Sequence, residues 1–588
     1  MVIAGWQLRL PAEPLLIAPM MDLDACLLSS LPSTEKQLDW QKLCTGPKAS
    51  ASHLVESTLQ RLQPRQHSQA LGYTLKVPLL ALLQPNQNDW RVNMEAIDKV
   101  ARTISDNPRP LILYLFSTHF GTNAPIEPVL AQNPDNLGHT ANGPLQVDNY
   151  YGQPIYPWTV ARTDNAITHY RSKVIKALTE RLCLLPANTL SKIRGVTMLG
   201  EVHQLFPHFE TGMGFDSPYS VTDYSESSVL GFRQYLQTRY PSIGALNQRH
   251  GSGYVSFKDI KPPSKDVRTQ ALQRFEQHID AYAAGQLPIS GWAYINNHSV
   301  HTPTVKIFLN GKLTAEVPVH LSRQDVRVAH PEFKSADVGW RHDLDFSQMA
   351  TGVHRIDLAL AQQGQPLLYL GTRTVSVMSR QQTAPEVIEA TAVPAIGGLP
   401  DGISASIDEP QNQASYYFNP LAREWLVFRN AQVVSYLNHF NGLLNQSCFA
   451  DTPHYTHQIV PQFNPSWDSG KYATTASLQP TKRWHTGISL YGESSYGTSV
   501  SNWLKLSSHG RYGVTEFHPL IAMGPERLAT IINQHHHQGA AFLSFFLETR
   551  WQLERVTAAP NLFSFDPDNQ QFGSDQLYES MKLLLSKP

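Results

Sequence analysis

At 588 residues the chain is long enough for more than one core, because single cores tend to stop growing at roughly 250 to 300 residues. Lysine plus arginine (47) balance aspartate plus glutamate (48), and only 16% of residues are charged; no electrostatic footprint for nucleic acid or an anionic membrane is present. The composition is globular, 41% hydrophobic and 10% aromatic, and no apolar run approaches the roughly 18 residues that span a bilayer.

The opening residues, MVIAGWQLRLPAEPLL, lack the charged start, long apolar middle and small-residue cleavage site of a secretory signal. The expectation is either a cytosolic chain or a mature chain with an added Met. Cys26, Cys44, Cys183 and Cys448 form no CxxC pattern, which argues against a structural zinc or a redox motif. A Cys26 to Cys44 bridge and two buried free thiols both fit the spacing; the bridge would tilt the compartment towards the periplasm or secretion over the cytoplasm.

Short apolar runs recur along the chain: LLIAPMMD (15 to 22), VPLLALLQ (77 to 84), LILYLFSTH (111 to 119), VTMLGE (196 to 201), IVPQFN (459 to 464), ISLYGE (488 to 493), YGVTE (512 to 516) and AFLSFFLE (541 to 548). Their hydrophobicity is continuous rather than alternating, the pattern of strands buried on both faces in a helix-covered parallel sheet. Eight such runs suit a closed (β/α)8 TIM barrel. Between them, residues 163 to 184 place Ile167, Tyr170, Val174 and Leu178 on one helical face, with Thr163 or Asp164 as the expected N-cap. Residues 224 to 240 repeat the spacing with Val229, Phe232, Leu236 and Tyr240; Asp223 and Glu226 resemble a capping box, and Pro241 stops the helix. Residues 465 to 486 show no helical pattern.

From about Ile289 to Val377 the texture changes to alternating strands and turns, with a hairpin signal at Asn310-Gly311. The expected organisation is an α/β barrel in two parts, 1 to 284 and 381 to 588, interrupted by an all-β sandwich over 285 to 380, with AVPAIGGLPDG (392 to 402) as a linker.

Each run hands over to a polar side chain: Asp22, Gln84, His119, Glu201, Asn464, Glu493, Glu516 and Glu548. In a barrel these ends form the active-site rim. Glu201 and Glu516, at the fourth and seventh ends, would face each other across the mouth. Two facing carboxylates are what glycoside hydrolysis needs: one protonates the leaving oxygen, and the other attacks the anomeric carbon or activates water. Their pKa values must diverge, one group staying protonated near neutrality.

The segment FRQYLQTRYPSIGALNQRHGSGYVSFKDIKPP (232 to 263), the approach YYGQPIYPWTVARTD (150 to 164) and the order of elements resemble clan A glycoside hydrolases, nearest to the family 42 β-galactosidases. That resemblance implies Glu201 as general acid/base, Glu516 in YGVTEFHP as nucleophile, Tyr491 beside the nucleophile and Asn464 on a sugar hydroxyl. The clan places Asn before the acid/base, where it contacts the sugar 2-hydroxyl, whereas this chain has Gly200. The cysteine cluster that many family 42 enzymes carry after the acid/base is absent as well.

Other residues weigh in differently. Glu493 follows a strand like Glu516 but reads as part of a polar loop, GESSYG, and Glu548 and Asp22 read as structural partners for arginine, with Arg550 near Glu548. Three adjacent histidines, His535 to His537, cannot converge on one metal from a helix and suit its last turn. His119 and His203 are candidate substrate contacts, weighed against ordinary satisfied core histidines. Trp158, Trp467, Trp503 and Trp551 fall in strand-end connections where a sugar ring could stack; two of the four are expected to do so.

The reading is a retaining, β-galactosidase-like glycosidase of two glutamates, acting on a β-linked oligosaccharide or polysaccharide, with no metal or organic cofactor required. Two alternatives stand beside it: a carbohydrate-binding pseudoenzyme, motivated by Gly200, and a scaffold protein of polysaccharide metabolism. The inserted module is left open between glycan binding, shaping the cleft and homo-oligomer contacts.

Overall fold

The computed structural model describes residues 14–28, 44, 50–63, 71–87, 89–215, 218–296, 302–395, 397–507, 509–551, 554–556 and 559–586. The first 13 residues, read above for a targeting signal, lie outside this set.

Eight parallel strands close into one ring. The first is split into Leu16–Ile17 and Met20–Met21; the second to fourth are Tyr73–Pro78, Leu111–Phe116 and Ile193–Leu199. The fifth is split into His454–Tyr455 and Gln458–Ile459, and Thr486–Tyr491, Tyr512–His518 and Ala540–Leu543 complete the set. Each pairs in parallel with the next, and the first pairs with both the second and the eighth, so no edge remains. Helices Ala51–Leu62, Met94–Asp106, Ala166–Leu182, Pro420–Asn445, Thr498–Leu506, Pro525–His537 and Ser574–Ser586 follow seven of the strands. The fifth connection, helix-poor in sequence, carries only the short helix Ser469–Tyr472. One apolar core joins the helices to the ring, with Val55, Ile97, Val174, Leu437 and Leu528 against Leu75, Leu113, Val196, Ile488 and Val514.

Inside the ring, character changes along the axis. Leu16, Ile112, Tyr455 and Phe542 form an apolar plug near the start of the strands. A Cβ at Gly513 would lie 2.4 Å from the Phe542 ring and one at Gly195 2.8 Å from the Tyr455 ring, so these glycines make room for the plug. Two residues further along the third and fifth strands, the period that returns to the same face puts Tyr114 and His457 above Ile112 and Tyr455. The interior thus turns polar towards the C-terminal mouth.

Several strand limits differ from the sequence expectation. The second strand ends at Pro78, and the apolar run continues into a buried 3-10 turn, Leu79–Leu82. Gln84 therefore lies in a following hairpin beside Arg91, not at a strand end. The fifth strand stops at Ile459, leaving Asn464 beyond a 3-10 turn, Pro461–Phe463. Helix caps also move: Asn165 caps Ala166–Leu182 by accepting from the Thr168 N–H, and Ser225 caps Glu226–Arg239 by accepting from the Ser228 N–H. Asp223 instead accepts from the Ser225 N–H at 2.7 Å.

The inserted region is a two-sheet sandwich. One sheet orders Leu321–Ser322, Asp337–Asp345, Gln286–Ile295 and Ile403–Glu409; the other orders Lys312–Pro318, Thr304–Leu309, Gly352–Ala361, Leu368–Val377 and Ala414–Tyr416. Leu287, Ile289 and Trp340 of the first share a core with Val305, Ile307, Leu358 and Val375 of the second. Asn310 and Gly311 take positive φ at the expected hairpin. The boundary at 380 is corrected: Ile403–Glu409 pairs with Gln286–Ile295, and Ala414–Tyr416 pairs with Leu368–Val377, so the segment 392 to 402 is an internal connection. The sandwich rests on the barrel mouth, where Arg341 donates to the carbonyls of Pro465 and Trp467, and the Tyr496 hydroxyl donates to Asp337.

Two disulfides tie the fold: Cys26 to Cys44, and Cys183 to Cys448. The second joins the C-terminal end of the helix before the fourth strand to the turn before the fifth, 265 residues apart in the chain, so no local spacing marks it. Among the described residues, no helix is long and apolar enough to cross a membrane.

Candidate active site

Glu201 and Glu516 reach the same buried volume from opposite halves of the ring. After the fourth strand the backbone turns sharply through Leu199 (φ 57°) and Gly200 (φ 96°), which throws Glu201 inward. Glu516 lies within the seventh strand, register-paired with Ser489 of the sixth, and Tyr491 is paired with His518. Each glutamate is 9% exposed.

Their surroundings drive them apart in charge. Burial, then the neighbouring Glu516 carboxylate, pushes Glu201 up to about 8, while the nearby Ser489 hydroxyl works weakly the other way. Burial also opposes ionisation of Glu516, but the hydrogen bond from His457 and the charges of His457 and His518 outweigh it and hold that carboxyl well below the usual range. His457 Nε2 lies 3.0 Å from Glu516 Oε1, the Tyr491 hydroxyl donates to Oε2, and His518 Nε2 stands 3.7 Å from Oε2, beyond hydrogen-bond distance. Tyr491 stacks on His518 at 5.1 Å, and Tyr114 on His457 at 4.7 Å. Burial and the two glutamates keep both Tyr114 and Tyr491 protonated far above neutrality.

Gly200 has a steric explanation. A Cβ there would stand 2.2 Å from Thr118 Cγ2 and 2.4 Å from the Tyr114 hydroxyl, and φ is positive as well. An asparagine does not fit; the Tyr114 phenol fills the space beside Glu201.

Of the other residues singled out from sequence, Tyr491 joins the pair, whereas Trp467 lines a cleft that neither glutamate borders. Asn464 is occupied locally, its side-chain oxygen accepting from the Ser466 N–H and hydroxyl. His119 is a buried brace, its two ring nitrogens facing the carbonyls of Tyr156 and His203, and burial pushes it down to about 4. His203 is buried likewise, with Nδ1 on the Gln204 carbonyl, and lies down at about 3 because of burial and then His119. Trp158 is a core residue stacked on Tyr156; Trp503 packs against Phe463 and His509, and Trp551 against His53. These three are therefore packing residues, where two stacking platforms were expected among four.

Glu493 is buried in a 3-10 turn that faces the sandwich, accepting from Ser499 and approaching His320 at 3.5 Å. Glu548 accepts from the Asn561 N–H, while Arg550 pairs with Asp566 and Asp568 instead. Asp22 approaches a lysine, Lys76, at 3.8 Å rather than an arginine. His535 lies in the last turn of its helix, with its ring nitrogens on the Tyr512 hydroxyl and the Ser495 carbonyl. Among the described residues, no group of three or more metal-ligating side chains converges.

Sequence reasoning missed Tyr114, His457 and His518. The signal for His518 was present, since strand alternation puts residues 516 and 518 on one face. Tyr114 sat unremarked inside an apolar run, and His457 preceded a run whose start was read too late.

No protein-family model matches the chain, and no curated protein does. Among solved structures, the catalytic domain of β-amylase from Paenibacillus polymyxa matches with a TM-score of 0.47 and 10% identity, covering 98% of this chain and 100% of that one. At that level the likeness assigns neither fold nor activity.

Proposed function

We propose that this protein is a glycoside hydrolase in which Glu201 is the general acid/base and Glu516 the nucleophile, acting on a β-linked, β-galactoside-like substrate with retention. The observation that carries the reading is that two buried carboxyls of one ring have different partners: Glu516 accepts from Tyr491 and faces His457 at 3.0 Å, which favours its anion, while burial and that neighbouring carboxylate push Glu201 up to about 8. In the first step the Glu201 proton passes to the glycosidic oxygen while a Glu516 oxygen bonds to the anomeric carbon and the aglycone leaves. In the second, Glu201, now a carboxylate, takes a proton from water as that water displaces Glu516. Tyr491 holds Glu516 in its anionic form and fixes its orientation.

In that scheme Glu201 supplies the proton and Glu516 the attacking oxygen of the first step, and water supplies both in the second. Two disulfides fit an oxidising compartment, and we propose export on that ground. The test is a panel of aryl glycosides turned over by wild type, Glu201→Gln and Glu516→Gln, with the first-formed anomer read by proton NMR. Turnover abolished in Glu516→Gln, with retention in wild type, supports the reading; turnover indifferent to both substitutions defeats it.

A further inference from the structure

We propose that the cleft between the barrel mouth and the inserted sandwich binds the distal units of an uncharged oligosaccharide, an inference that rests on the catalytic reading above and extends it away from the reacting bond. The cleft encloses about 490 Å3, within the range of sites that hold small molecules. Its barrel wall comes from the connections after the fourth and fifth strands, through Glu210 and Trp467. Its other wall is sandwich, through Ser290, Arg323, Asp408 and Glu409.

The connection after the fourth strand carries both the proposed acid/base, Glu201, and the cleft residue Glu210. The Trp467 ring stacks on Tyr472 at 5.7 Å and 22°, and the Tyr472 phenol senses the charge of Glu201. Arg341 fixes the arrangement from the sandwich side, bonding the carbonyls of Pro465 and Trp467 and lying 5.2 Å over the Phe215 ring. An indole face edged by hydroxyls and carboxylates is the chemistry that grips a pyranose, whose ring carbons stack while its hydroxyls donate.

Charge narrows the ligand. Arg323 is paired with Asp325 and Asp408, which leaves Glu210 as the exposed carboxylate of the lining. A uronate or sulfated unit would meet like charge. Neutral hexose or pentose units would not.

The experiment is isothermal titration of Glu516→Gln with neutral gluco-, xylo-, manno- and galacto-oligosaccharides of increasing length, beside oligogalacturonides. At least one neutral series is expected to bind about tenfold more tightly on lengthening beyond two units. That gain is expected to vanish when Trp467→Ala or Thr211→Trp is added, the latter placing a bulky ring in the cleft from an exposed position. Absence of binding, affinity indifferent to length or to both added substitutions, or a preference for oligogalacturonides would overturn the inference. The two readings fail separately: length-dependent binding without any turnover defeats the catalytic reading and leaves the cleft, whereas aryl glycoside hydrolysis without a length gain defeats the cleft alone.

Discussion

The tips of the sixth and seventh strands each carry a buried glutamate, and the two are surrounded differently. Glu516 stays within its strand, and alternation points it into the ring, where Tyr491, His457 and His518 converge on its two oxygens. Glu493 lies two residues past its strand, in a 3-10 turn that rotates it outward to Ser499 and to His320 of the sandwich. A Cβ at Gly497 would lie 1.3 Å from Glu493 Oε1, so the loop glycine is shaped around this carboxylate. Position at a strand end does not make a carboxylate chemical; the direction in which the local backbone aims it does.

The sharpest way to break the comparison is to remove each carboxylate charge in turn. Glu516→Gln is expected to lower turnover by at least about 10³-fold, whereas Glu493→Gln should leave kcat within a few-fold and lower Tm instead, because it disturbs the contact between sandwich and barrel. Equal losses of turnover would erase the distinction. Next in size is Glu201→Gln, expected to cost about 10²- to 10⁴-fold on substrates with poor leaving groups and much less on activated aryl glycosides, which need little protonation. Tyr491→Phe removes a charge-assisted hydrogen bond to Glu516 and should cost about 10- to 100-fold in kcat/KM, while moving the acidic limb of the pH profile upward.

The pH dependence follows from the two directions. The active form has Glu201 protonated and Glu516 ionised, so activity should fall as pH rises through about 8. Stability shares the sign: because the folded pKa of Glu201 is raised from 4.5 to about 8, the native state binds more protons than the unfolded chain in that window, and stability declines as pH rises through it. In Glu201→Gln the decline in Tm over this window should be shallower. The smallest effect on chemistry is expected from Cys183→Ser with Cys448→Ser, which should leave turnover near wild type while costing about 2 to 4 kcal/mol of stability, read as a lower denaturation midpoint.

Much of the barrel was legible because strands buried on both faces must be apolar throughout, and all eight runs overlap or abut a strand. What hydrophobicity could not mark is where a strand stops when the next turn is buried too, as at Leu79–Leu82, or where it begins when its first residues are polar, as at His454. The sandwich was visible from alternation, but its last two strands lie beyond a Pro- and Gly-rich segment that resembles a linker. Glu201 and Glu516 were expected from their places at the ends of apolar runs, and Tyr491 only from the family resemblance. The partners that tune Glu516 were not, since His457 and His518 act through pairing between strands that no local pattern records. The same holds for Gly200, whose reason lies in the Tyr114 hydroxyl from a neighbouring strand.

The central claim is tested most directly by a mechanism-based 2-fluoroglycoside, with the labelled peptide located by mass spectrometry. A covalent glycosyl label on Glu516, formed faster in wild type than in Tyr491→Phe, is the predicted result. A label on Glu493 or any other residue, or steady turnover of the reagent with inversion and no label, would contradict it.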